Sequence, residues 1–147
     1  MELKCVWPPT SSLSGKSGKQ MIIATDFDGT LFWCYGVGGT SEDAVPNGPL
    51  IAACKRWQEL GHTLILWTCR GPGTGLEEAL ALCEQEGLHF KYANENCPEI
   101  LNSCGDRRKI VADLYIDDRA VRMTSDPGGS WEAWTKHAFK EHNAVYM

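Results

Sequence analysis

The chain has 147 residues, 43% of them hydrophobic and 22% charged, the size and composition of one globular domain with a single core. Its 14 Lys and Arg against 19 Asp and Glu leave a net charge of −5, which excludes a broad basic face for extended nucleic acid but not a small basic pocket that grips one phosphate. No apolar run is long enough to span a bilayer and Met1-Glu2-Leu3-Lys4 opens no secretory pattern, so a cytoplasmic location and no membrane partner are expected.

Residues 1–20 are rich in Pro, Ser, Gly and Lys and are expected to form a flexible N-terminal arm ahead of one domain over 21–147. Gly15-Lys16-Ser17 is not a P-loop, because Thr10 stands where that motif needs glycine and no apolar strand leads in. A buried strand is expected over 21–25. Residues 29–46, with Gly36, Gly38, Gly39 and Pro46, read as a loop carrying Phe32, Trp33 and Tyr35. Leu50, Ala53, Cys54 and Trp57 recur at helical spacing, which predicts a helix over 49–60 stopped by Gly61. A second buried strand follows over 63–67, then a glycine-rich loop. Leu76, Ala79, Leu80 and Cys83 share one face of a second helix over 76–86 that ends at Gly87. A third strand is expected over 89–93, an irregular stretch with a short helical turn over 94–108, and a fourth strand over 114–116. A final helix over 131–142, with Trp131, Trp134, His137 and Phe139, and a last short strand over 144–146 complete the reading.

Strands alternating with helices predict an α/β fold: a Rossmann-like parallel sheet sandwiched by helices. Its working site lies at the carboxyl ends of the strands. Four strands end in chemistry-bearing residues: Asp26-Phe27-Asp28, Thr68-Cys69-Arg70, Asn94-Glu95 and Asp117-Asp118-Arg119, with Arg107-Arg108-Lys109 ahead of the fourth. Carboxylates gathered at one edge call for a hard divalent cation with oxygen ligands, and Mg²⁺ is the usual one. Neighbouring Lys and Arg suit a phosphate that shares it. The seven cysteines have no CxxC and no framework spacing, so free thiols are expected, with Cys54 and Cys83 in the core. A zinc site from Cys97, Cys104 and a histidine is poorly spaced and is only a minor alternative.

Asp26-Phe27-Asp28-Gly29-Thr30 after one strand, Thr68 after the next, Lys109 before a strand and Asp117-Asp118 after it resemble, in order, the four motifs of the haloacid dehalogenase superfamily of phosphohydrolases. The resemblance covers residues 21–120. It implies Asp26 as the nucleophile that forms an aspartyl-phosphate and Asp28 as general acid and base. It implies Mg²⁺ held by Asp26, the Asp28 carbonyl and Asp117, with Asp118 on the metal's water or on Lys109. It implies Thr68 and Lys109 on the phosphoryl oxygens. The short stretches 29–48 and 69–108 leave no room for the cap domain common in that superfamily, so a capless site under a small flap is implied. Small capless members from bacteria and phages are more similar still, sharing Leu64-Ile65-Leu66-Trp67, Ala93-Asn94 and Ala112-Asp113-Leu114-Tyr115-Ile116-Asp117-Asp118-Arg119. Asp113 reads as structural. Thr68-Cys69-Arg70 is also similar to the 3′-phosphatase domain of polynucleotide kinase–phosphatases, which implies Arg70 on phosphate. Three readings follow: an Mg²⁺-dependent phosphatase of a phosphorylated small molecule or nucleotide, a nucleotide or nucleic-acid 3′-phosphatase, and a non-catalytic module that binds a phosphorylated partner. The sequence leaves the oligomeric state open.

Overall fold

The computed structural model describes residues 20–34, 43–120 and 139–140. The expected N-terminal arm, the part of the aromatic loop with Tyr35, the final helix and the last strand lie wholly or nearly so outside these residues. The described elements are, in chain order, β1 (Ile22–Thr25), β2 (Phe32–Trp33), β3 (Val45–Pro46), α1 (Gly48–Glu59), β4 (Thr63–Leu66), α2 (Leu76–Gln85), β5 (Tyr92–Ala93), α3 (Pro98–Cys104) and β6 (Leu114–Ile116).

β1 is buried along its whole length, as a central parallel strand covered on both faces must be. It pairs in parallel with β4 on one side and β6 on the other, and β5 pairs in parallel with β4, so the sheet order is β5-β4-β1-β6. The pleat sends alternate side chains to opposite faces. Ile23, Leu64 and Leu66 pack with Ile51 and Cys54 of α1 and Ala79 and Cys83 of α2. Ile22, Ala24 and Ile65 pack with Ile100 and Cys104 of α3. The result is the expected α/β sandwich, with the chain reversing its direction of travel across the sheet between β1 and β6.

Local chemistry sets the boundaries. Asn47 caps α1 by accepting a hydrogen bond from the Leu50 N–H, and its amide donates to the Thr30 carbonyl, tying the helix start to the turn after β1. Glu77 and Glu78 occupy the first turn of α2, where the helix dipole favours negative charge. Asp113 is structural, as expected: its carboxylate accepts from the Ile22 N–H at 2.8 Å while its own N–H donates to the Ile22 carbonyl.

Four expectations need correction. The stretch 29–46 is not all loop, since β2 and β3 form an antiparallel pair. Phe32 of that pair is buried in the core and stacks on Phe27 at 4.9 Å between centroids. The third strand starts at Tyr92, not at 89, and residues 98–104 form a seven-residue helix with Pro98 in its first turn. Cys54 and Cys83 are core thiols, as are Cys34 and Cys97, but Cys104 is disulfide-bonded. A disulfide sulfur offers no thiolate, so the zinc alternative falls with it. Among the described residues no helix is long and apolar enough to cross a membrane.

Candidate active site

The site is a consequence of strand register. Thr25 of β1 lies opposite Leu66 of β4 and Ile116 of β6, and Leu66 lies opposite Ala93 of β5. The residues that follow, Asp26, Trp67, Asp117 and Asn94, therefore stand abreast at the carboxyl edge. The hydrogen-bond ladder runs one step past the strands: Asp26 N–H donates to Ile116 O at 2.9 Å, Trp67 N–H to Thr25 O at 2.8 Å, and Asn94 N–H to Leu66 O at 2.7 Å. These backbone bonds fix where the side chains start. The edge also lies at the β1–β6 reversal, where open α/β sheets leave a crevice.

Ligand oxygens of Asp26, Asp117 and Asp118 all lie within 4.8 Å of one another. No other trio of His, Cys, Asp or Glu among the described residues comes together in this way. Burial pushes the Asp26 carboxyl up from 3.8 to about 6, and the charges of Asp117, Asp118 and Asp28 push in the same direction, against a lowering backbone hydrogen bond at Phe27. A group of carboxylates that resists ionisation in one member fits a hard divalent cation, which would neutralise the repulsion and take oxygen donors. Gly29 makes the close approach workable. Its φ is +75°, and a Cβ there would lie 2.5 Å from Asp118 Oδ2.

Asp28 stands apart from the trio. Arg70 Nε donates to Asp28 Oδ2 at 3.0 Å and Nη2 donates to Oδ1 at 2.8 Å, a two-point ion pair. The Cys34 thiol donates to the same Oδ1 at 3.2 Å. Burial pushes that thiol up to about 11, and its hydrogen bond with Asp28 adds to the effect. Arg70 is 2% exposed, so its expected place on phosphate is corrected: the guanidinium lies behind the site and is engaged by Asp28. With that correction the 3′-phosphatase reading loses the residue that suggested it.

Thr68 makes the second wall, and Asn94 braces its backbone. Asn94, at φ 53°, accepts the Thr68 N–H on Oδ1 at 2.8 Å and donates from Nδ2 to the Arg70 carbonyl at 2.9 Å. Asparagine tolerates this left-handed backbone better than most residues. Thr68 Oγ1 accepts the Arg70 N–H at 3.2 Å, which leaves its own O–H to donate elsewhere. Asp26, Asp28, Thr68 and Asp117 line a cavity of about 240 Å³ together with Trp67, Cys69 and Arg119. Lys109 is not among its walls. Its ammonium lies over the Tyr115 ring, 5.2 Å from the centroid, and the cation in the cavity wall is Arg119. In the sequence Asn94 and Arg119 are marked only by their places at strand ends, which carry no signal of the contacts they make here.

A solved structure of a conserved protein from Bacteroides thetaiotaomicron resembles this chain with a TM-score of 0.55 and 32% sequence identity, over 86% of this chain and 94% of that one. No protein-family model and no curated protein matches the chain.

Proposed function

This chain belongs to the family of that conserved Bacteroides thetaiotaomicron protein, and we propose that it is an Mg²⁺-dependent phosphatase that hydrolyses a phosphate monoester through an aspartyl-phosphate on Asp26. The observation that carries the reading is the convergence of Asp26, Asp117 and Asp118 within 4.8 Å at the ends of β1 and β6. Mg²⁺ held by Asp26, Asp117 and Asp118 would keep Asp26 ionised and offset the charge of the bound phosphate. An Asp26 oxygen attacks phosphorus as the phosphorus–oxygen ester bond breaks, and Asp28 delivers a proton to the departing alkoxide. Water then attacks the aspartyl-phosphate, gives its proton to Asp28 and frees Asp26 and inorganic phosphate. Thr68 O–H and Arg119 supply donors to the phosphoryl oxygens from the cavity wall, where charge builds during transfer.

The cavity wall suits a phosphorylated small molecule or nucleotide whose remainder extends out of the pocket. A cytoplasmic setting belongs to the same proposal. The free thiols of Cys34, Cys54, Cys69, Cys83 and Cys97 accord with it, and the Cys104 disulfide is the feature that argues the other way. The test is phosphate release, with and without Mg²⁺, from sugar phosphates, nucleotides, a 3′-phosphorylated oligonucleotide and an aryl phosphate. Metal-dependent release that disappears in Asp26→Asn is expected. A folded, Mg²⁺-binding protein that releases phosphate from none of them would sink the reading in favour of a binding module.

A further inference from the structure

Two aspartates one residue apart have opposite electrostatic neighbours. Asp26 faces carboxylates. Asp28 faces a guanidinium whose every nitrogen is engaged: Nε and Nη2 on Asp28, Nη2 also 3.6 Å from Cys34 Sγ, and Nη1 on the Gly75 carbonyl at 3.4 Å and Glu78 at 3.5 Å. The guanidinium carbon lies 4.8 Å from the centroid of the Phe27 ring. Gly75 leaves space for this arginine, since a Cβ there would lie 3.3 Å from both its Cδ and its Nη1. The arginine end of the pair is buried, whereas the aspartate side chain is 23% exposed and lines the cavity. An ion pair that served stability alone would be weak support for the fold, because desolvation opposes it. This one enters from behind and leaves its carboxylate facing the pocket.

The hydrogen bonds also distinguish the two oxygens. Among the described residues Oδ1 accepts from both Arg70 and Cys34, while Oδ2 accepts from Arg70 Nε alone. Each carboxylate oxygen has two acceptor sites, so the one that the described residues leave vacant is on Oδ2.

Resting on the phosphatase reading, we propose that Arg70 is a positioning residue that locks the Asp28 carboxylate in one orientation and presents Oδ2 as the oxygen that exchanges protons with the leaving group and water. Lysine keeps the charge but lacks the planar two-point fork. Arg70→Lys is expected to lower kcat about a hundredfold, the scale of loss for a misoriented catalytic group, with KM for an aryl phosphate within about twofold and Mn²⁺ affinity, read by electron paramagnetic resonance, unchanged.

The decisive experiment is a double-mutant cycle of Arg70→Lys and Asp28→Asn, followed both in kcat and in urea unfolding. The double variant should be no slower than Asp28→Asn alone, and the unfolding constants should be non-additive by about tenfold or more. Multiplicative losses in kcat, or a raised KM with kcat intact, would overturn the positioning role and make Arg70 an independent phosphate contact. If Arg70→Lys does not fold, Cys34→Ala removes only the thiol donor; a several-fold loss in kcat at constant KM is expected, and an unchanged kcat would count against the proposal. A wild type with no turnover on any substrate removes the phosphatase reading and the catalytic role with it, while coupling in urea still measures the ion pair itself.

Discussion

Replacing Asp26 with Asn should stabilise the metal-free protein at neutral pH. In the folded state the Asp26 carboxyl is raised from 3.8 to about 6, chiefly by burial and then by Asp117, Asp118 and Asp28. Folding therefore favours its protonated form. Between about pH 4 and 6 the folded chain holds a proton that the unfolded chain has released, so metal-free stability falls as pH rises through that window. Above pH 6 the loss is complete. A rise of this size corresponds to about 3 kcal/mol, and solvent screening around a half-buried group reduces it to about 1–2 kcal/mol. Asparagine carries no charge and keeps an oxygen for the Phe27 N–H, so the variant escapes that loss. The assay is urea unfolding in EDTA at pH 7.5 and at pH 4. The variant should be more stable at pH 7.5 and lose that advantage at pH 4. Adding Mg²⁺ should reverse the order, because a ligand at a hundred times its Kd stabilises the wild type by about 2.7 kcal/mol and the variant by less. If Asp26→Asn lowers metal-free stability at pH 7.5, or if Mg²⁺ stabilises both proteins equally, the carboxylate trio is not the frustrated cation site described above.

Other substitutions test other walls of the site. Gly29→Ala forces a Cβ to within 2.5 Å of Asp118 Oδ2 at a positive φ; a loss of about 1–3 kcal/mol in stability and weaker Mg²⁺ binding by calorimetry are expected, and unchanged metal affinity would show that Asp118 is not a ligand. Asn94→Ala orphans the Thr68 N–H and the Arg70 carbonyl, which should cost about 1–3 kcal/mol and raise KM for an aryl phosphate; a stable variant with normal KM would deny Asn94 its role in shaping the wall. Arg119→Met should raise KM about tenfold, the loss of one charge-assisted hydrogen bond, and Lys109→Met should do less, since Lys109 lies on Tyr115. The opposite order of effects would return the phosphate contact to Lys109.

Much of this arrangement was legible because it follows from periodicity and strand ends. The apolar runs at 21–25 and 63–67 predict parallel strands, and the acids that immediately follow strands must arrive at the carboxyl edge. Asp26, Asp117 and Asp118 are such acids. What was not legible depends on contacts between side chains far apart in sequence. Nothing in the pattern of residues 24–33 announces that Asp28 is paired with an arginine 42 positions later. The β2–β3 pair contains four residues, too few for an alternation to register. Lys109 and Arg119 both lie near β6 and carry the same charge, so only their geometry separates the one on Tyr115 from the one in the cavity wall. Cys104 has no spacing signal for a disulfide.

The repulsion written into Asp26-Phe27-Asp28 is thus divided rather than cancelled. After Thr25 the ladder holds the Asp26 backbone to Ile116, beside the β6 carboxylates, and on the phosphatase reading its charge is left for a cation from outside the chain. Phe27 turns into the core, stacks on Phe32 and lies against the Arg70 guanidinium. Asp28 emerges where the other side of that guanidinium system can meet it, and its charge is compensated from within the chain. The turn at Gly29 then closes against Asp118, so the same five residues set the spacing of the trio and the orientation of the fourth acid. On the phosphatase reading each compensation is needed where it stands: the exchangeable one on the nucleophile and the permanent one on the acid that must keep a fixed orientation.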